Sequence, residues 1–214
     1  MPCPEKFRET LVRYGVRPDV IARINDGYET LASSAPKKER GAYFKRAMAI
    51  LDENLSFDER ARLLDANACC KTGARDKASR RFAKEHGAEP LEAKLALIAS
   101  VPHMGLPSLT PDGKLYIDAV RYERDGRYRC ACPNFNDSLR DADTSRTYCM
   151  CCAGHFRYHY QLMLGLRLTL DRVALSPFQS DGQEPCAFVF RMEGDVGDGD
   201  AGGADPLFGR RSAP

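Results

Sequence analysis

The chain carries nine cysteines and four histidines. Most of them sit in two short runs. In "TYCMCCAGHFRYHY", residues 147–160, the spacing predicts a helix with two chemically different faces. Cys149 and Cys152 are three apart and share one face, while Cys151, His155 and His159 follow at four-residue intervals on another. In "RCAC", residues 129–132, Cys130 and Cys132 are two apart. On a strand, both thiols would leave the same side. The pattern Cys-x-Cys, sixteen residues, Cys-x-x-Cys offers four soft ligands on two neighbouring elements. That inventory suits structural zinc or an iron–sulfur cluster. The tight Cys-x-Cys-Cys run departs from ferredoxin spacings, which favours Zn2+. Two blander readings stay open: reduced thiols that merely lie near one another, and a regulatory disulfide.

The second helical face supports a different chemistry. A Cys/His/His set with an open coordination position would be catalytic in style. In that reading Cys151 is a candidate nucleophile and His155 a candidate base. Cys69 and Cys70 are adjacent and precede a basic run, "KTGARDKASRRFAKEHG", so a helix N-terminus would activate a thiol there. Both are candidate catalytic thiols, and Arg75 is the candidate anchor for an anionic ligand. The basic run otherwise reads as a solvated helix face. Cys186 alternates with Phe188 and Phe190, which reads first as a small core hydrophobe on a strand. No nucleophile elbow, Walker loop or dinucleotide fingerprint accompanies these residues.

The elements that must position them form an α+β pattern. The first hundred residues read as helices: 5–15, 17–27, 37–55, 56–68, 76–87 and 90–101. Tyr43, Phe44, Ala47, Met48 and Leu51 make an apolar stripe, and Ser56 with Glu59 has capping-box spacing. Strands are predicted near 114–122 and 127–132 around the Asp125-Gly126 turn, with a loop over 133–146. A helix over 147–164 ends at Gly165, and a second strand pair follows, 166–176 and 185–193. The expected fold is an N-terminal helical segment, then a four-stranded antiparallel sheet of two hairpins packed with a long helix. The predicted organisation is a helical segment over 1–65, a cysteine-rich α+β domain over 66–192, and a disordered tail over 193–214.

Bulk properties narrow the partners. A net charge of +2 gives no global field for nucleic acid, so none is expected. No apolar run approaches a membrane span. The charged start lacks a signal-peptide core, and clustered free thiols suit a reducing compartment, so a cytoplasmic location is expected.

"YCMCCAGHFRYHY", "SPFQSDGQEPCAFVF", "CCKTGAR" and "RCAC" together resemble an uncharacterised cysteine-rich prokaryotic family, the domain of unknown function numbered 6144. The resemblance covers roughly residues 65–192. The helix and the hairpin ending in Cys-x-Phe are also similar to 4-vinyl reductase-type small-molecule-binding domains and to L-2-amino-thiazoline-4-carboxylic acid hydrolase-like proteins. Those groups lack the Cys-x-Cys and Cys-x-Cys-Cys clusters. The resemblance implies a ligand or metal role for Cys186 beside Cys130, Cys132, Cys149 and Cys152. It further implies a small-molecule ligand, with a pocket at Leu166, Leu168, Phe188 and Phe190, and a homodimer as one oligomeric state. The leading expectation is thus a zinc-binding small-molecule or sensor domain. The alternatives are a metal- or thiol-dependent hydrolase or redox enzyme, and a structural zinc-stapled interaction module.

Overall fold

The computed structural model describes residues 3–69, 71–135 and 144–195. Six helices come first: α1 (Pro4–Arg13), α2 (Pro18–Asn25), α3 (Lys37–Asn54), α4 (Phe57–Ala66), α5 (Ala74–His86) and α6 (Leu91–Ile98). Their starts follow local chemistry. Pro18 opens α2, where its missing N–H costs nothing. Ser56 and Glu59 form a reciprocal capping box on α4. The stripe on α3 is buried, with Phe7 of α1 set edge-on to Tyr43 and Phe44.

A four-stranded antiparallel sheet follows in the order β1-β2-β6-β5. Its strands are β1 (Leu106–Leu109), β2 (Leu115–Val120), β5 (Leu166–Leu175) and β6 (Cys186–Asp195). A 3-10 turn, Arg146–Cys149, runs into α7 (Met150–Leu164), which ends on Gly165 in the left-handed conformation. The α+β class and the long helix on the sheet are as the sequence suggested. One buried hydrophobic cluster runs from Phe7 through the helices to Phe190.

The strand membership differs. The Asp125-Gly126 turn exists, with φ of 55° and 69°, but it closes a separate two-stranded ribbon, β3 (Glu123–Arg124) and β4 (Arg127–Tyr128). The ribbon is charged on both faces, so neither can be buried in a sheet. Its place beside β2 is taken by β1, a four-residue strand joined to β2 through the turn at Thr110–Lys114. Cys130 and Cys132 therefore lie on irregular backbone after β4 rather than on a strand. The tail expected from residue 193 overlaps β6, which runs to Asp195, and the rest of that expectation lies outside the described residues. Most of the loop predicted over 133–146, residues 136–143, lies outside them too.

Candidate functional site

Helix α7 is the axis of the site, and its two faces meet different neighbours. One face packs on α4 and α5. Gly154 makes this possible: a Cβ there would stand 2.5 Å from Asp65 Oδ1 and 2.8 Å from Asp65 Cα. Asp65 receives Arg157 through two hydrogen bonds, 3.0 and 2.8 Å, and Lys71 at 3.1 Å. Cys151 donates to the carbonyl of Asn67 at 3.4 Å, and burial pushes its thiol well up, so it stays protonated.

His155 is defined by its partners. Arg75 can only donate, and its guanidinium stands 3.1 Å from Nε2. The carbonyl of Cys69 can only accept, and it lies 3.1 Å from Nδ1. The ring is therefore neutral, with its proton on Nδ1. Burial, then His159 and Arg75, lower its pKa to about 3. One turn on, His159 Nδ1 lies 2.9 Å from the Ser79 hydroxyl, which itself donates to the carbonyl of Arg75. The sequence-predicted residues Cys69, Arg75, Cys151 and His155 thus do come together, as a buried hydrogen-bonded joint between helices. Arg75 spends a donor on His155, and both His155 nitrogens are engaged. Cys70 lies outside the described residues.

The other face holds sulfur. Cys149 and Cys152 lie at the start of α7, and Cys186 starts β6 opposite Val120. The irregular segment with Cys130 and Cys132 is brought to the same corner by contacts on either side. Tyr128 N–H donates to the carbonyl of Gly182 in the β5–β6 turn at 2.9 Å, and Arg127 pairs with Asp181. Phe135 then packs edge-on against Tyr148 and Phe178, with centroids at 4.5 and 5.3 Å. All five thiols fall within one electrostatic neighbourhood. Cys130 is influenced by Cys132, Cys186 and Cys149, and Cys152 by Cys186 and Cys149 on this side and by Cys151 and Cys69 of the helix joint on the other. Burial pushes Cys149 up to about 11 and holds Cys152 and Cys186 well above the ordinary thiol value, and neighbouring thiols add to each shift.

Cys132 is the exception. The neighbouring Cys130 side chain, then the Tyr148 hydroxyl and the Asn134 backbone N–H, outweigh burial and lower its pKa to about 6. Its Sγ is 2.9 Å from the Tyr148 hydroxyl. Asn134 Nδ2 donates to that same oxygen at 3.0 Å, and when Cys132 is a thiolate, which can only accept, the phenolic proton points at sulfur. Cys132 N–H in turn lies 3.4 Å from Cys130 Sγ. Cys130 moves in the opposite direction, upward, through the neighbouring Cys132 side chain and its own burial.

Tyr148 and Asn134 were not singled out by sequence. A signal existed for Tyr148: a tyrosine inside the most apolar cysteine run must find a partner for its hydroxyl once buried. Asn134 gave none, because its role depends on a residue fourteen positions away. Of the residues expected to line a pocket, Leu166 is half-buried against the core and the other three lie within it. Leu168, Phe188 and Phe190 are buried, and Phe188 packs against Phe156 at 5.9 Å.

The donor set suits a soft cation, being sulfur-rich and largely buried. Among the described residues, however, no three Cys, His, Asp or Glu side chains stand close enough together to hold a metal ion as placed. No described helix is long and apolar enough to cross a membrane. No protein-family model, curated protein or solved structure matches this chain.

Proposed function

We propose that the chain is a thiolate metal-binding protein of the sensor or small-molecule-binding kind, holding Zn2+ rather than an iron–sulfur cluster. The ligands come from Cys130, Cys132, Cys149, Cys152 and Cys186. One observation carries this reading: thiols from three separate stretches lie in one corner, where burial and neighbouring thiols hold all but Cys132 protonated. A divalent cation supplies the charge such a group lacks, and deprotonates thiols outright. Core packing alone would not require sulfur at five positions.

Because the sulfurs are not yet within bonding distance of a common centre, metal capture must draw the 129–132 segment onto the start of α7. That segment has no strand pairing to break. A closed sulfur shell leaves no open position for substrate, so the metal acts as a clasp rather than a catalyst. His155 and Cys151 stay outside it, in the helix joint. Free thiols in this number fit a reducing, cytoplasmic setting. The resemblance to the family numbered 6144, carried by the Tyr-Cys-x-Cys-Cys-x-Gly-His run, belongs to the same proposal.

The test is elemental analysis and visible absorption on protein purified without oxygen. Zinc near one equivalent, without colour, is the expected result, and the double variant Cys149→Ser/Cys152→Ser should lose it while keeping its far-ultraviolet helix signal. Stoichiometric iron with labile sulfide would replace zinc by a cluster. A stable, metal-free protein that takes up no added zinc would overturn the reading.

A further inference from the structure

Three features of Cys132 involve no metal. It is half-buried, as Cys152 also is, whereas Cys149 and Cys186 are 5% exposed. Its sulfur has a hydroxyl donor at 2.9 Å, oriented by Asn134. A second thiol lies beside it, two residues back, with the Cys132 amide N–H 3.4 Å from Cys130 Sγ. An attacking thiol, a donor that steadies its charge and a resolving thiol are the three parts of thiol–disulfide exchange. Cys149 meets a serine hydroxyl at 3.5 Å, and Cys151 spends its hydrogen on a carbonyl, so neither has this arrangement.

We infer that Cys132 and Cys130 form a redox pair that reacts with small oxidised disulfides and thereby sets whether the proposed metal site can be filled. In the first step the Cys132 thiolate attacks one sulfur of a disulfide RSSR. A Cys132–SR bond forms, the S–S bond breaks, and one RS⁻ leaves. In the second step Cys130 loses its proton and attacks Cys132 Sγ. The Cys130–Cys132 bond forms and the second RS⁻ leaves. Two protein thiols are oxidised by two electrons, RSSR is reduced to two RSH, and the protons balance. Tyr148 is a positioning residue: it holds Cys132 Sγ and the irregular segment against α7. The exchange itself is independent of the metal reading. Only its regulatory consequence, removal of two ligands, rests on that reading.

The experiment treats full-length protein, as purified under reducing conditions, with oxidised glutathione. It follows intact mass, peptide maps of the modified sites, and zinc release to a chromophoric chelator. Wild type is expected to lose two hydrogens, located at Cys130 and Cys132, with zinc released in step. Cys130→Ser should stop at a single glutathione adduct on Cys132. Cys132→Ser should slow the reaction at least tenfold. Tyr148→Phe should slow adduct formation more at low pH than at high pH, a pH dependence that a purely structural role would not produce. Adducts arising first on Cys149, Cys152 or Cys186, or a Cys132→Ser variant as fast as wild type, would overturn the pair. Oxidation at the pair in protein that holds no zinc would keep the exchange and remove the metal reading. Zinc present with no oxidation at the pair would do the reverse.

Discussion

The two faces of α7 carry the same residue types within a few positions of each other and come to opposite ends. On the face toward α4 and α5, polar groups are matched: Cys151 to Asn67, His155 to Arg75 and Cys69, Asp65 to Arg157 and Lys71. Such a network is finished and rigid, with little left to offer a ligand. On the face toward the sheet, Cys132 and Cys149 each reach a hydroxyl, thiols lie near enough to raise one another's pKa, and the segment bearing two of them has no strand pairing. The proposed chemistry lies on that unfinished face. The comparison teaches that a cysteine cluster in a sequence is two questions, divided by the helical period.

The comparison breaks hardest at Gly154. A methyl group there enters Asp65 and the backbone of α4, so Gly154→Ala should cost about 2–3 kcal/mol in urea unfolding. The folded fraction should keep the proposed zinc binding and its thiol reactivity, because the sheet-side face is untouched. Loss of metal from folded protein would show that the faces are coupled.

Acid probes the same face more gently. His155 is neutral in the fold, with its pKa lowered from the ordinary 6.5 to about 3. The unfolded chain takes up that proton first as pH falls. Stability should therefore be complete above about pH 6.5 and decline below it, by up to about 1.4 kcal/mol per pH unit, until the folded-state value is reached. Urea midpoints between pH 7.5 and 4.5, measured with a chelator present, should fall steeply for wild type and less for His155→Gln. Parallel curves would remove His155 from the account.

On the other face, Tyr148→Phe leaves the Asn134 amide and the Cys132 sulfur each without the hydroxyl, a loss of about 1–2 kcal/mol. In metal-free protein, alkylation by iodoacetamide should reach Cys132 ahead of Cys149, Cys152 and Cys186, because its pKa is lowered where theirs are raised. In Tyr148→Phe the onset should move to higher pH. The smallest effect lies far from both faces: Ser56→Ala opens the capping box of α4 and should cost about 1 kcal/mol, leaving thiol rates unchanged.

The helices and the division of α7 into faces were legible because period and capping are local. Ser56 with Glu59, Pro18 and Gly165 each act within a turn of themselves. What each face would meet was not legible. Asp65 lies 92 residues from Arg157, and Arg75 lies 80 from His155, so no window in the sequence contains both partners. The sheet edge failed for another reason. Leu106–Leu109 is four residues long and includes a proline, too short for alternation to register, while the longer run after Gly126 looked more strand-like and is barred by its charge. Packing decided both matters, and packing is a property of the whole chain.

Tyr148 has a consequence of an optical kind. Its ring leans on Phe44 and Phe135 while its hydroxyl touches Cys132. The chain contains no tryptophan, so its near-ultraviolet spectrum is written largely by nine tyrosines. The one bonded to a sulfur is also clamped between rings, which gives it a strong, orientation-sensitive signal. Any event that takes the Cys132 lone pair, whether proton, metal or a second sulfur, alters the partner of that phenol. The protein thus carries an intrinsic gauge of its own thiol state, readable by near-ultraviolet circular dichroism without a label.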